Sequence, residues 1–325
     1  MPFALHETHF GKWPALELHD DDGLRMRIAL RGATLLDLYL PGPDAALHRV
    51  IDGYRHAREL EEGGAARSAL MAPFSNRIAC GRYRFNEQTH QLPVSDDEGH
   101  AIHGVVRELD WTLTHHHCDE RSAALTLTAT IKPDTLDGYP FAIDCCCMYT
   151  LDAQGLEWSF VAENVGDEAA PFGCGWHPYF YPPGGNLEAC RVVLPTREAV
   201  IVDKGLIPLT GDKGRRALSE RVLALNAHVL DSCFTALEPD DDGLCRTHFE
   251  DSRAGLKLVV AQPYGAVHVF TGDTLAERAR ASVAIEPTEF PPDAFNAPEL
   301  SEQLTLGPGA VRRFGARLSL EPLVS

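Results

Sequence analysis

Phe141-Ala142-Ile143-Asp144-Cys145-Cys146-Cys147-Met148-Tyr149-Thr150-Leu151 runs into Asp152-Ala153-Gln154-Gly155 and out again through Leu156-Glu157-Trp158-Ser159-Phe160. Phe141, Ile143, Cys145, Cys147, Tyr149 and Leu151 fall at every second position, and Leu156, Trp158 and Phe160 resume the alternation after the break. A period of two places these side chains on one face of a strand, and a short glycine-containing loop between two such runs marks a hairpin. The same rhythm holds elsewhere. Leu24, Met26, Ile28 and Leu30 alternate with Arg25, Arg27 and Ala29, and Leu125, Leu127, Ala129 and Ile131 with Thr126, Thr128 and Thr130. Val260 and Val267-His268-Val269-Phe270 predict further strands.

Helical pattern is sparse. Tyr54 to Glu62 and Leu218 to Leu230 are the two helix candidates, and neither carries a long apolar stripe. Turn chemistry punctuates the strands instead: Asp20-Asp21-Asp22-Gly23, Asp240-Asp241-Asp242-Gly243 and Pro182-Pro183-Gly184-Gly185-Asn186 each read as a chain reversal. The acidic runs lack the alternate-position carboxylates and twelfth-position glutamate of an EF-hand loop. The expectation is an all-β, antiparallel protein with few short helices.

The 325 residues are compatible with one large β unit, since sandwiches and barrels commonly exceed 200 residues. A formal charge of −18 and the lack of a basic stripe argue against a nucleic-acid partner, because binding phosphates requires Lys and Arg to displace counterions. No stretch reads as a membrane span, and Met1-Pro2-Phe3-Ala4-Leu5-His6-Glu7 has neither the basic nor the apolar region of a signal peptide. A cytoplasmic location is expected, as a monomer or homodimer.

The nine cysteines fit that expectation: their number is odd, their spacings do not repeat, and Cys145, Cys146 and Cys147 alternate between sheet faces. They read as reduced thiols, most of them buried. His115-His116-His117-Cys118 resembles a zinc cluster at first glance. Adjacent strand residues point apart, however, and do not converge on one ion, so the run reads as a polar strand end. No Gly-rich phosphate loop, Gly-x-Ser-x-Gly elbow or His-Glu-x-x-His is present.

Three segments carry the chemistry: His103-Gly104, Gly175-Trp176-His177-Pro178-Tyr179-Phe180, and Glu286 at the end of Ala281-Ser282-Val283-Ala284-Ile285. Imidazole and carboxylate are the groups most readily tuned to exchange protons near neutral pH. Together they support proton transfer with neither metal nor organic cofactor.

At these residues the sequence resembles the aldose 1-epimerases, also called galactose mutarotases. The resemblance begins with Ala72-Pro73-Phe74-Ser75-Asn76-Arg77-Ile78-Ala79-Cys80-Gly81-Arg82-Tyr83-Arg84-Phe85 and continues through Ala101-Ile102-His103-Gly104 and the His177 segment. Leu230-Asp231-Ser232-Cys233-Phe234, Val269-Phe270-Thr271-Gly272 and Ile285-Glu286-Pro287-Thr288-Glu289-Phe290-Pro291-Pro292-Asp293-Ala294-Phe295-Asn296 complete an ordered set of six motifs spanning most of the chain. The resemblance implies a single-domain antiparallel β-sandwich over residues 1–325 with a sugar cleft on one sheet. It implies Glu286 as general base, His177 as general acid, and Arg77, His103 and Asp231 as residues holding the sugar, with Asn76 beside them and His103 near enough to share proton duty.

The implied reaction removes a proton from the C1 hydroxyl of a cyclic aldose and adds one to its ring oxygen, opening the ring so that C1–C2 rotation exposes the other carbonyl face. Charged Glu286 beside protonated His177 is the expected working state, because opposite charges favour one another. Trp176-His177-Pro178-Tyr179-Phe180-Tyr181 stands where many members have Asn-His-x-Tyr-Phe-Asn, and Glu286-Pro287-Thr288 where many have Glu-Thr-Gln. Both variants resemble a divergent bacterial-type subgroup. Three functions follow: a mutarotase of free hexoses such as galactose or glucose, a hexose-6-phosphate 1-epimerase, and a non-catalytic carbohydrate-binding module. The acidic charge and the lack of Gly-Gly-Ile-Pro or Trp-Pro-Trp-Phe-like stretches favour the first over the second.

Overall fold

The computed structural model describes residues 2–323; Met1 and residues 324–325, which the expected 1–325 unit includes, lie outside them. It is built on antiparallel sheets. Ala4–Phe10, Trp13–His19, Arg25–Ala29, Thr34–Pro41 and Leu47–Arg49 form a five-stranded meander in chain order. A nine-stranded sheet runs from Thr112–Cys118 at one edge through Ser122–Ile131, Ile143–Asp152 and Gly155–Asn164 to Val311–Pro322, and onward through Leu256–Gln262, Cys245–Asp251 and Cys190–Val193 to Val222–Ala224.

The deciding hairpin folds as its alternation dictates. Ile143 pairs with Asn164 and Asp152 with Gly155, which leaves Ala153-Gln154 as the turn. Ile143, Cys145, Cys147, Tyr149 and Leu151 are buried while the residues between them are wholly or partly exposed. Gly155 is required there: at φ +140° a Cβ would sit 1.8 Å from the Leu318 carbonyl oxygen of the neighbouring strand.

An eight-stranded sheet faces this one and carries the site. Its order is Arg215–Ala217, Glu198–Val200, Asp231–Thr235, Ala266–Phe270, Val283–Thr288, Gly175–His177 and Ala69–Met71, with Tyr179–Phe180 also pairing Val283–Thr288. Aromatic side chains fill the space between the layers. Trp158 of the nine-stranded sheet meets Trp176 of the eight-stranded one at 5.4 Å between ring centroids, and both are fully buried. At roughly 25 cal/mol per Å² of apolar surface, aromatics of this size dominate such an interface.

The helix expectation divides. Ala57–Glu62 is helical, capped by the His56 side chain, which accepts from the Glu59 N–H, and by left-handed Gly63, so Tyr54, Arg55 and His56 precede the helix proper. Leu218 to Leu230 is not a helix. Val222–Ala224 pairs as an edge strand with Cys190–Val193, and buried Leu223 and Leu225 alternate with exposed Val222 and Ala224. The period there is two, and pairing satisfies the backbone without a helix. All nine cysteines are free thiols, six of them buried, and Cys80 alone is fully exposed. His115, His116 and His117 lie exposed on the Thr112–Cys118 edge strand, where His117 pairs with Asp119 at 3.0 Å.

Candidate active site

Strand register assembles the reacting groups. His268 is the cross-strand partner of Glu286. On the far side of the Val283–Thr288 strand, Gly175 pairs with Thr288 and Tyr179 with Ala284, a register that sets His177 opposite Glu286. Directly opposed residues of adjacent strands share a face. The result is an imidazole–carboxylate–imidazole row, His268–Glu286–His177, across three strands.

Two loops close the row from one side. Asn76 and His103 both adopt left-handed backbone, φ 54° and 63°, flanking the two-stranded pairing of Arg77–Ile78 with Ala101–Ile102. The His103 N–H donates to the Asn76 carbonyl at 2.9 Å, and the Arg77 N–H to the Asn76 Oδ1 at 2.9 Å. Gly104 follows at φ +64°, where a Cβ would lie 2.0 Å from the Ala72 carbonyl oxygen. Strained backbone of this kind persists where the surroundings over-determine it, and it collects at binding sites.

Asn76, Arg77, His103, His177, Asp231 and Glu286 all line one cleft of about 720 Å³, a volume that admits a monosaccharide. Sequence reasoning placed none of them outside it. His177 Nε2 lies 3.3 Å from Glu286 Oε1, and the His103 ring stands edge-on to His177 at 5.2 Å. Beneath His177 the Tyr179 ring stacks at 5.2 Å, and beneath Tyr179 the Arg67 guanidinium sits 4.5 Å from the ring centroid. Arg67 is itself held by fully buried Asp52 at 2.7 Å. Arg77 and Asp231 do not pair with each other. Arg77 donates to Asp96 at 2.8 Å and approaches Glu98 at 3.6 Å, while Asp231 lies 2.7 Å from His268 Nε2.

Five buried polar atoms of residues lining this cleft have no hydrogen-bond partner in the protein: His103 Nδ1, Arg107 Nε, His177 Nδ1, Glu286 Oε2 and the Tyr179 hydroxyl. Leaving a buried polar group unpaired costs about 1–3 kcal/mol, so folds rarely tolerate several side by side.

Burial also sets the charge states. Desolvation pushes the Glu286 carboxyl up to about 7, against the pull of His268. It pushes His177 down to about 3, with positive His268 adding to the effect, and His103 well below its ordinary value, with His177 and Arg107 contributing. His268 moves the other way: burial opposes its charge, but the Glu286 and Asp231 carboxylates outweigh that and raise it well above the usual range. Burial thus works against the expected partnership of charged Glu286 with protonated His177, and His268 is the imidazole whose surroundings favour a proton.

His268 is the residue that sequence reasoning missed, read there only as part of a strand. The available signal was a lone titratable side chain facing away from Val267 and Val269 in an otherwise apolar strand. Tyr179 was quoted within its motif and given no role.

The family model for aldose 1-epimerase matches residues 14–319. The chain belongs to the aldose 1-epimerase family. Galactose mutarotase of Rattus norvegicus is 24% identical over 336 residues, covering 94% of this chain and 95% of its own. Uncharacterized protein YihR of Escherichia coli is 28% identical over 241 residues, covering 70% and 71%. Among solved structures, the aldose epimerase homologue from C. elegans superposes with a TM-score of 0.80 at 18% identity, covering 99% of this chain and all of that one. Galactose 1-epimerase from Lactobacillus acidophilus gives 0.78 at 18% identity, covering 99% of each. As a family member the protein is an isomerase acting on carbohydrates, and its sandwich is the one the family shares.

Proposed function

We propose that the protein interconverts the α and β anomers of a free hexose such as galactose or glucose, with Glu286 and His177 exchanging protons with the sugar. The observation that carries this reading is the set of unpartnered atoms on Glu286, His177 and His103 around a cleft of sugar size. Asn76, Arg77, His103 and Asp231 hold the sugar hydroxyls.

One proton on the Glu286–His177 pair accounts for the chemistry. With carboxylate and imidazolium, Glu286 takes the C1 hydroxyl proton while His177 delivers one to the ring oxygen; the C1–O5 bond breaks and the C1 carbonyl forms. The pair is then carboxylic acid and neutral imidazole. After rotation about C1–C2 the acid protonates the carbonyl oxygen, O5 attacks C1, and the imidazole recovers the O5 proton. Burial favours the second state in the empty cleft, so the site is pre-set for the open aldehyde, and sugar hydroxyls on Glu286 Oε2 and His177 Nδ1 bring the first within reach. Acid–base help of this kind contributes roughly 10²–10⁴ in rate.

Neutral sugars are favoured over 6-phosphates. Of the cleft's four arginines, Arg67 and Arg77 are closely paired with Asp52 and Asp96, whereas Arg31 and Arg107 meet carboxylates only at 3.9 and 3.8 Å, so this preference rests on the acidic charge of the chain and on the phosphate-type stretches its sequence lacks. We also propose that residues 1–325 act as one unit without metal or cofactor, a reading supported by a continuous apolar core drawing on Phe3 and Leu318 alike.

Polarimetry of freshly dissolved α-D-galactose and α-D-glucose, with and without chelator, tests this. Accelerated mutarotation unaffected by chelator is expected, with glucose 6-phosphate turned over less efficiently. No acceleration across a broad panel of neutral aldoses would overturn the proposal.

A further inference from the structure

The Glu286 carboxylate lies between two imidazoles that are built differently. His177 has one unpartnered ring nitrogen, faces Glu286 at 3.3 Å, and rests on Tyr179 and, below it, cationic Arg67. His268 has a second carboxylate behind it, with Asp231 Oδ1 2.7 Å from Nε2. Its other ring nitrogen faces the Asn76 amide at 3.5 Å. His268 is only 7% exposed, which shields its contact with Glu286 from solvent, while the Asp231 side chain is 39% exposed and solvent screens that contact in part.

We propose that His268, clamped by Asp231, is a resident imidazolium that stabilises the carboxylate of Glu286 across the strand pair, so that Asp231 serves the reaction through His268 as well as through the sugar. The inference deepens the epimerase reading and rests on it for its catalytic consequence. Its electrostatic part stands on the geometry alone.

The surrounding groups support it from each element packed around the ring. Asp231 and the Cys233 thiol come from the Asp231–Thr235 strand, and Glu286 from the Val283–Thr288 strand. His177 and His103, both held neutral by burial, add no competing positive charge. Arg77 is occupied by Asp96 and Glu98. Asn76 presents its amide NH2 to His268 Nδ1 at 3.5 Å while its oxygen accepts from the Arg77 N–H at 2.9 Å, so the charged ring requires this amide to turn over and give up the Arg77 N–H. Two carboxylates flanking one imidazole favour its charged form. A fixed positive charge beside a desolvated glutamate in turn favours the carboxylate, which opposes the burial that would otherwise keep Glu286 protonated.

Asp231 and His268 are therefore positioning residues for the proton transfer at C1. Removing the charge releases Glu286 to climb further. His268→Gln keeps hydrogen-bonding capacity without charge, and the alkaline limb of kcat/KM should move up by about one pH unit or more. Asp231→Asn should move the limb less, because losing Asp231's own upward push on Glu286 offsets the weakened His268 charge, and it should also raise KM. A structural role alone would lower the plateau and leave the limbs in place.

The decisive measurement does not depend on turnover. In full-length protein with ¹³C/¹⁵N-labelled histidine, the His268 ring, assigned by its absence in His268→Gln, should keep imidazolium shifts through pH 8 in wild type. In Asp231→Asn it should titrate at lower pH. A wild-type His268 that loses its proton at or below the ordinary histidine value of about 6.5 would overturn the proposal. So would His268→Gln limbs coincident with wild type. Should His268→Gln misfold, the His268 titration in wild type and Asp231→Asn decides alone. Imidazolium shifts in a protein that anomerises no sugar would leave the charge intact and remove the epimerase reading instead.

Discussion

Glu286 and Glu289 stand three residues apart, one in the Val283–Thr288 strand and the other just beyond it, and burial pushes both carboxyls up to about 7. Their surroundings differ. Glu289 accepts from the Tyr264 hydroxyl at 3.3 Å and the Cys174 N–H at 3.3 Å, and it pairs with Arg312 at 3.4 Å. Glu286 has His177 at 3.3 Å on one oxygen and no hydrogen-bond partner on the other, and the residue lines the cleft. A perturbed carboxyl alone marks burial; a perturbed carboxyl with an unpartnered oxygen marks a place for something else to bind.

The largest expected effect separates the two directly. Glu286→Gln should lower kcat by roughly 10²-fold or more, because proton acceptance at C1 is lost with little change in shape. Glu289→Gln should leave kcat within a few-fold of wild type. Steady-state polarimetry on both purified variants checks this, and equal losses would mean that Glu289 supports the site. His177→Asn should behave like Glu286→Gln, and Arg77→Ala should mainly raise KM because its contacts already form to the ground-state sugar.

The second test uses pH. The proposed pair works with one proton bound, so kcat/KM should fall as pH rises through about 7, where Glu286 releases it, and fall again towards about 3, where His177 gains another. A profile flat across pH 6–8.5 would contradict that inventory.

Stability supplies the third. Glu286 is raised in the fold, so between about 4.5 and 7 the native state holds a proton that the unfolded chain releases, and this contribution to stability declines as pH rises across that window. His177 is depressed, so its contribution declines as pH falls from about 6.5 towards 3. At pH 8 Glu286→Gln should therefore stabilise the protein, by up to about 3 kcal/mol in urea unfolding. Glu289→Gln should act in the same direction, because its carboxyl is raised to about 7 even with Arg312 pulling against it. The smallest effect is at the edge: His115→Ala with His117→Ala should leave turnover unchanged with or without chelator.

Much of this was legible in the sequence because it is local. The Asp152–Gly155 hairpin, the turns at Gly23 and Gly243, and the Ala57–Glu62 helix follow from neighbouring residues. Asn76, Arg77, His103, His177, Asp231 and Glu286 were reached through motifs, and the fold brings all six to one cleft. His268 was not legible, since its importance comes from strand register against a residue 18 positions away and a carboxylate 37 positions away. The Leu218–Leu230 segment failed for a related reason. Its short apolar spacing is ambiguous alone, and pairing with Cys190–Val193 decides it.

The Val311–Pro322 strand lies inside the nine-stranded sheet, between Gly155–Asn164 and Leu256–Gln262. Until Val311–Pro322 docks, the two strands that it joins would each present an open edge. Those edges are templates for pairing with other chains. Docking of this strand should be the step most dependent on chaperone protection, and a chain stalled short of residue 311 should be aggregation-prone although every residue of the cleft has already been made.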